Sequence, residues 1–117
     1  MAYVDGYVVP VHTSREEYQA FAAKAAPVFK EHGALTVVEC WGDDIPEGEV
    51  TSFPLAVKKE PGENVAFSWV TWPSKEARDA GWEKVMADPR MQPQEGQAMP
   101  FNGKRLIYGG FEVIVSI

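Results

Sequence analysis

The chain has 117 residues and carries 11 Lys+Arg against 17 Asp+Glu, a formal net charge of −6. That length is the size of one domain, taken as residues 1–117, and 45% hydrophobic with 24% charged residues is the composition of a folded chain rather than a disordered one. The single cysteine, Cys40, excludes an internal disulfide and a Cys-rich zinc site; the acidic balance argues against nucleic-acid binding, and no apolar run reaches the ~18 residues of a membrane span.

The first predicted element is a strand from Ala2 to Val11, rich in Val and Tyr, with Pro10 expected to fray or bulge it. Ser14 followed three residues later by Glu17 is a capping box, and Tyr18, Phe21, Ala22, Ala25, Val28 and Phe29 recur at helical spacing after it. Pro27 predicts a kink in this helix and Gly33 its left-handed C-terminal cap. A second strand is predicted over Leu35–Trp41, followed by a polar loop from Gly42 to Glu49. Residues 52–58 read equally well as a strand, through the alternation of Phe53, Leu55 and Val57, or as one helical turn.

A third strand covers Val65–Trp72, and Ser74 caps a second long helix in which small residues at 77, 80 and 81 permit close approach of a neighbour. Asp88-Pro89 ends that helix and starts a short turn. Residues 90–105 read as a long loop and Leu106–Val115 as the last strand. Gly109-Gly110 within that strand suggests a bulge or the close approach of another backbone. The order β-α-β, β-α-β is that of an α+β, ferredoxin-like chain with a four-stranded antiparallel sheet and both long helices on one face.

The strands are apolar on both parities. Tyr3, Tyr7, Val9 and Val11 alternate with Ala2, Val4 and Val8; Val65, Phe67 and Trp69 alternate with Ala66, Val70 and Trp72. Two helices cover one face, so the other needs a cover, and a second copy of the sheet is the simplest one. Leaving several hundred Å² of apolar sheet in water forgoes on the order of 10 kcal/mol. The alternative cover is the two long loops, 42–64 and 88–105. A homodimer is therefore expected.

Three carboxylates interrupt the strands: Asp5, Glu39 and Glu112. Asp5 shares parity with Tyr3 and Tyr7, Glu39 with Trp41, and Glu112 with Tyr108. If those faces look into the space between two sheets, they form an acidic, aromatic-lined chamber in which burial raises carboxyl pKa values toward those of general acids and bases. Otherwise each pairs with Lys104, Arg105 or a backbone N–H. The candidate ligand-binding residues are Asp5, Tyr7, Glu39, Trp41, Trp69, Trp72, Trp82, Phe101 and Glu112, with Met99–Asn102 as a lid. Trp41 and Trp72, at strand ends, are the better placed tryptophans. His12 and His32 are a whole helix apart, and no phosphate loop or nucleophile elbow is present, so neither a metal nor a cofactor is expected. His32, in the last helical turn, suits a capping role. Cys40, mid-strand, is expected to be buried and inert.

Several segments together resemble a known family: Tyr3-Val4-Asp5-Gly6-Tyr7-Val8-Val9-Pro10, Phe67-Ser68-Trp69 with Trp72-Pro73-Ser74-Lys75, Met86-Ala87-Asp88-Pro89-Arg90-Met91, and Met99-Pro100-Phe101-Asn102-Gly103-Lys104-Arg105 before Tyr108-Gly109-Gly110-Phe111. They are similar to the YbaA-like family of small bacterial proteins of unknown function (domain of unknown function 1428). The resemblance implies a dimeric α+β barrel, a superfamily that also includes monooxygenases, haem enzymes and lyases. It implies no catalytic residues. The expected function is the binding of a small organic molecule by a homodimeric barrel, with cofactor-free enzymatic turnover in view. The alternative is a non-catalytic interaction or stress-response module presenting the acidic loop Gly42–Val50. The N-terminal residues lack the pattern of a signal peptide, so a cytoplasmic location is expected.

Overall fold

A computed structural model describes residues 2–92 and 98–117. The elements are β1 (Tyr3–Val11), α1 (Arg15–Glu31), β2 (Thr36–Trp41), a single turn α2 (Phe53–Ala56), β3 (Asn64–Trp72), α3 (Lys75–Ala87), a 3₁₀ turn (Pro89–Met91) and β4 (Ile107–Glu112). The four strands form one sheet in the order β2-β3-β1-β4, every neighbouring pair antiparallel. This is the ferredoxin-like arrangement the element order predicts.

Local chemistry accounts for the boundaries. The Ser14, Ser52 and Ser74 hydroxyls each accept from the backbone N–H three residues on, satisfying an orphan donor at the start of α1, α2 and α3. Gly33 takes a φ of +111° after the C-cap His32. The ambiguous segment 52–58 resolves as a helical turn, because Ser52 caps it and Pro54 fits its first turn. Helix α1 continues unbroken through Pro27.

Register assigns the faces. Tyr3, Asp5, Tyr7 and Val9 of β1 lie level with Trp72, Val70, Ser68 and Ala66 of β3, and with these go Val37, Glu39 and Trp41 of β2. This is the helix-covered face: Val9, Val11, Tyr18, Ala22 and Ala66 form one buried cluster, and Ala34, Val70 and Trp72 a second, with Tyr7 touching both. The opposite parity builds the other face from Val4, Gly6, Val8, Phe67, Trp69, Ile107, Gly109 and Phe111. Among the described residues, no long helix covers it. Helix α2 reaches one end, where Phe53 meets the Phe67 ring edge-on at 5.8 Å. Phe67 remains 43% exposed and Phe111 63%.

Several expectations need correction. Strand β4 ends at Glu112, because its last pairing is with Tyr3 where β1 begins; beyond it, Val113 N–H bonds only to the Ala2 carbonyl. Gly109-Gly110 makes no bulge: pairing is continuous, and what approaches Gly110 is the Tyr3 ring and the Arg78 guanidinium rather than another backbone. Cys40 is half-buried, on the parity of Val38 that faces away from the long helices. Gly81 of α3 does permit a close approach: an added Cβ would lie 2.7 Å from Trp72 Cη2 and 2.8 Å from the His32 carbonyl oxygen.

Candidate functional site

The carboxylates Asp5 and Glu39 lie on the helix-covered side of the sheet, not on its open face. They occupy two separate depressions on either side of Tyr7.

Asp5 is 3% exposed. Its Oδ2 accepts from the indole N–H of Trp72 at 3.0 Å and of Trp82 at 2.9 Å. Its Oδ1 accepts from Arg78 Nη2 at 2.8 Å and Nε at 3.1 Å. A buried carboxylate is tolerable when paired and saturated with donors, and this one is both. With its lone pairs occupied, Asp5 orients three side chains and has no acceptor position free for a substrate proton. Arg78 also donates to Asp79 at 2.9 Å and lies over the Tyr3 ring, 5.2 Å from its centroid. The Asp5 hydrogen bonds push the guanidinium pKa further up, so its charge is permanent.

A cleft of about 690 Å³ opens beside this cluster, lined by Tyr7, Arg78, Trp82, Glu83, Met86 and Tyr108 among others. Among the described residues, the Tyr7 hydroxyl is buried without a hydrogen-bond partner. Its pKa is pushed up, chiefly by burial and then by the Asp5 charge, so it keeps its proton and acts as a donor. Tyr108 stacks on Tyr7 at 6.5 Å and is itself 76% exposed, forming the outer wall.

On the other side, a groove of about 340 Å³ runs between α1 and β2. Here the Tyr18 hydroxyl donates to Glu39 Oε1 at 2.7 Å, and Trp41 stands 6.0 Å from the Tyr18 ring. Burial raises the Glu39 pKa, against hydrogen bonds from Tyr18 and Ser68 that lower it.

The remaining candidates are dispersed. Trp72 is completely buried, and only its N–H reaches the cluster. Trp69 lies on the open face. Phe101 is packed edge-on against Phe21 and bridged to Val11, while the Pro100 carbonyl accepts from His12 N–H. That pinning fixes the segment proposed as a lid, and Phe101 lines neither depression. Glu112 is exposed on the edge strand. None of the three carboxylates uses Arg105, which grips Glu63 at 2.6 Å and Glu60 at 3.1 Å while binding the Val57 and Lys58 carbonyls. His32 caps α1 and bonds Asp88 at 2.9 Å.

Sequence reasoning missed Arg78 and Tyr18. A buried Asp requires a cation, and Arg78 precedes Trp82 by one helical turn; that spacing was the available signal.

Comparison with known proteins gives the family. Residues 2–103 match the model described as "Protein of unknown function (DUF1428)". The chain belongs to this family. It is 58% identical over 116 residues to the uncharacterized protein YbaA of Escherichia coli K12, covering 98% of each chain, and equally so to that of Shigella flexneri. Among solved structures it is similar to a mutant of SnoaB, a cofactor-independent oxygenase from Streptomyces nogalater, with TM-score 0.62 and 13% identity over 99% of this chain and 96% of that one. A putative antibiotic biosynthesis monooxygenase from Bacillus cereus gives TM-score 0.55 and 9% identity over 100% and 95%. At these identities the likeness is one of fold. Among the described residues, no helix is long and apolar enough to cross a membrane.

Proposed function

We propose that this protein is a homodimer closed through its open sheet faces, and that each subunit binds a small, flat organic molecule in the cleft beside α3. The observation that carries the ligand site is Tyr7, which lines a 690 Å³ cleft and whose buried hydroxyl has no hydrogen-bond partner among the described residues. Leaving a buried donor unmade costs about 1–3 kcal/mol, and a ligand acceptor removes that cost. Trp82, Met86 and Tyr108 supply apolar walls, and the cleft volume lies within the range of small-molecule sites. Tyr7 donates, so the matching ligand offers a carbonyl or similar acceptor on an unsaturated ring system. Cofactor-free turnover of such a molecule is the activity to assay first, since the neighbour of the same fold is named a cofactor-independent oxygenase.

The dimer is supported by Phe67, Ile107 and Phe111, large apolar side chains exposed on one sheet face. A metabolite panel read by thermal stability tests the ligand. A true ligand at ~100 times Kd adds about 2.7 kcal/mol, and Tyr7→Phe should weaken it about tenfold. Ligands that bind equally well to Tyr7→Phe would refute the site. The competing reading, an interaction module, rests on Asp43, Asp44, Glu47 and Glu49, all exposed on one loop. Capture of a specific partner that is lost when these acids are neutralised would favour it.

A further inference from the structure

The groove between α1 and β2 shares no lining residue with the cleft beside α3. Arg15 and Glu39 both line it. Neither belongs to any ion pair among the described residues, so two opposite charges share one groove without neutralising each other. Tyr18 fixes Glu39 with a 2.7 Å hydrogen bond on Oε1, far fewer donors than saturate Asp5. Ala22, Ala23 and Ala26 form the α1 wall, and their short side chains leave the groove open. Trp41 adds an aromatic surface beside Glu39, a favourable setting for an organic cation.

We propose that this groove binds a small zwitterion of the amino-acid class, its ammonium meeting Glu39 and Trp41, its carboxylate meeting Arg15, and its carbon skeleton lying on the three alanines. Charge-assisted hydrogen bonds at both ends select for molecules carrying both charges. The 340 Å³ volume suits a ligand of that size. The site stands independently of the Tyr7 cleft.

The test is NMR titration of the labelled full chain with free alanine, leucine and phenylalanine, each beside its methyl ester and its N-acetyl derivative. At least one free amino acid should shift the amides of Ala22, Ala23 and Ala26 and the Trp41 indole. Its ester and N-acetyl forms should bind at least about tenfold more weakly. Arg15→Ala and Glu39→Gln should each cause a similar loss, Arg15→Lys should retain binding, and Tyr7→Phe should leave it unchanged. Retained spectral dispersion checks that the variants fold. No shift with any free amino acid at ~10 mM, equal binding of the blocked derivatives, or shifts confined to the Trp82 side would overturn the proposal.

Discussion

Asp5 and Tyr7 lie two residues apart on one strand face, yet their hydrogen-bonding states are opposite. Asp5 has every acceptor position filled; Tyr7 has a buried hydroxyl with no partner among the described residues. Arg78→Ala should therefore be severe, because it strands a buried carboxylate; about 3–5 kcal/mol is expected by urea unfolding. Tyr7→Phe should be neutral or stabilising by up to ~1 kcal/mol, while ligand binding falls. That pairing of outcomes separates a binding residue from a packing one. Glu39 gives a pH signature. Burial raises its folded pKa above the unfolded value, so its favourable contribution is present below the ordinary value of 4.5 and is lost as pH rises through the folded one. Glu39→Gln should accordingly be more stable than the parent near neutral pH. The gap should close as the pH of the unfolding experiment falls toward 4.5.

Among the elements, α3 makes a contact with Trp72 that depends on a missing side chain. A methyl at Gly81 has no room against the Trp72 ring and the His32 carbonyl. Gly81→Ala ordinarily helps a helix by ~1 kcal/mol. Here overpacking should outweigh that gain and leave a net loss of about 1–2 kcal/mol by thermal unfolding. At the far end of the same helix, Asp88 joins Arg90 and His32, and these hydrogen bonds, Arg90 first, hold its carboxyl well below the usual aspartate range. This depressed pKa contributes stability above the ordinary value of 3.8 that is lost as pH falls below it. Asp88→Asn should therefore flatten the acid limb of the unfolding profile. The sequence revealed both long helices and their caps because periodicity and serine placement are local signals. It left the end of β4 open, because Val113 and Val115 alternate like a strand and only the start of β1 at Tyr3 limits their pairing.

At the scale of the whole molecule, the two-faced apolar pattern was legible from strand parity, and the open face built by Phe67, Trp69, Ile107 and Phe111 is its structural counterpart. Parity grouped Asp5 with Tyr7 and Glu39 with Trp41, but it could not say which parity the helices cover. That choice depends on long-range packing, and it puts Asp5 and Glu39 beneath the helices rather than between two sheets. If two copies close through the open face, Phe111→Glu with Phe67→Glu should sediment as a single subunit, while Tyr7→Phe should sediment like the parent. Charged side chains are strongly disfavoured at the centre of such an interface.

Trp72 and Trp82 come from a strand and a helix yet donate to the same oxygen of Asp5, and Arg78 holds the other. Helix and sheet are thereby riveted together along one wall of the larger cleft. On the proposed reading, a guest molecule would meet a wall that these hydrogen bonds already hold in place, so little freedom would be lost on entry. Loosening one rivet should cost selectivity between guests of similar outline before it costs the capacity to hold them.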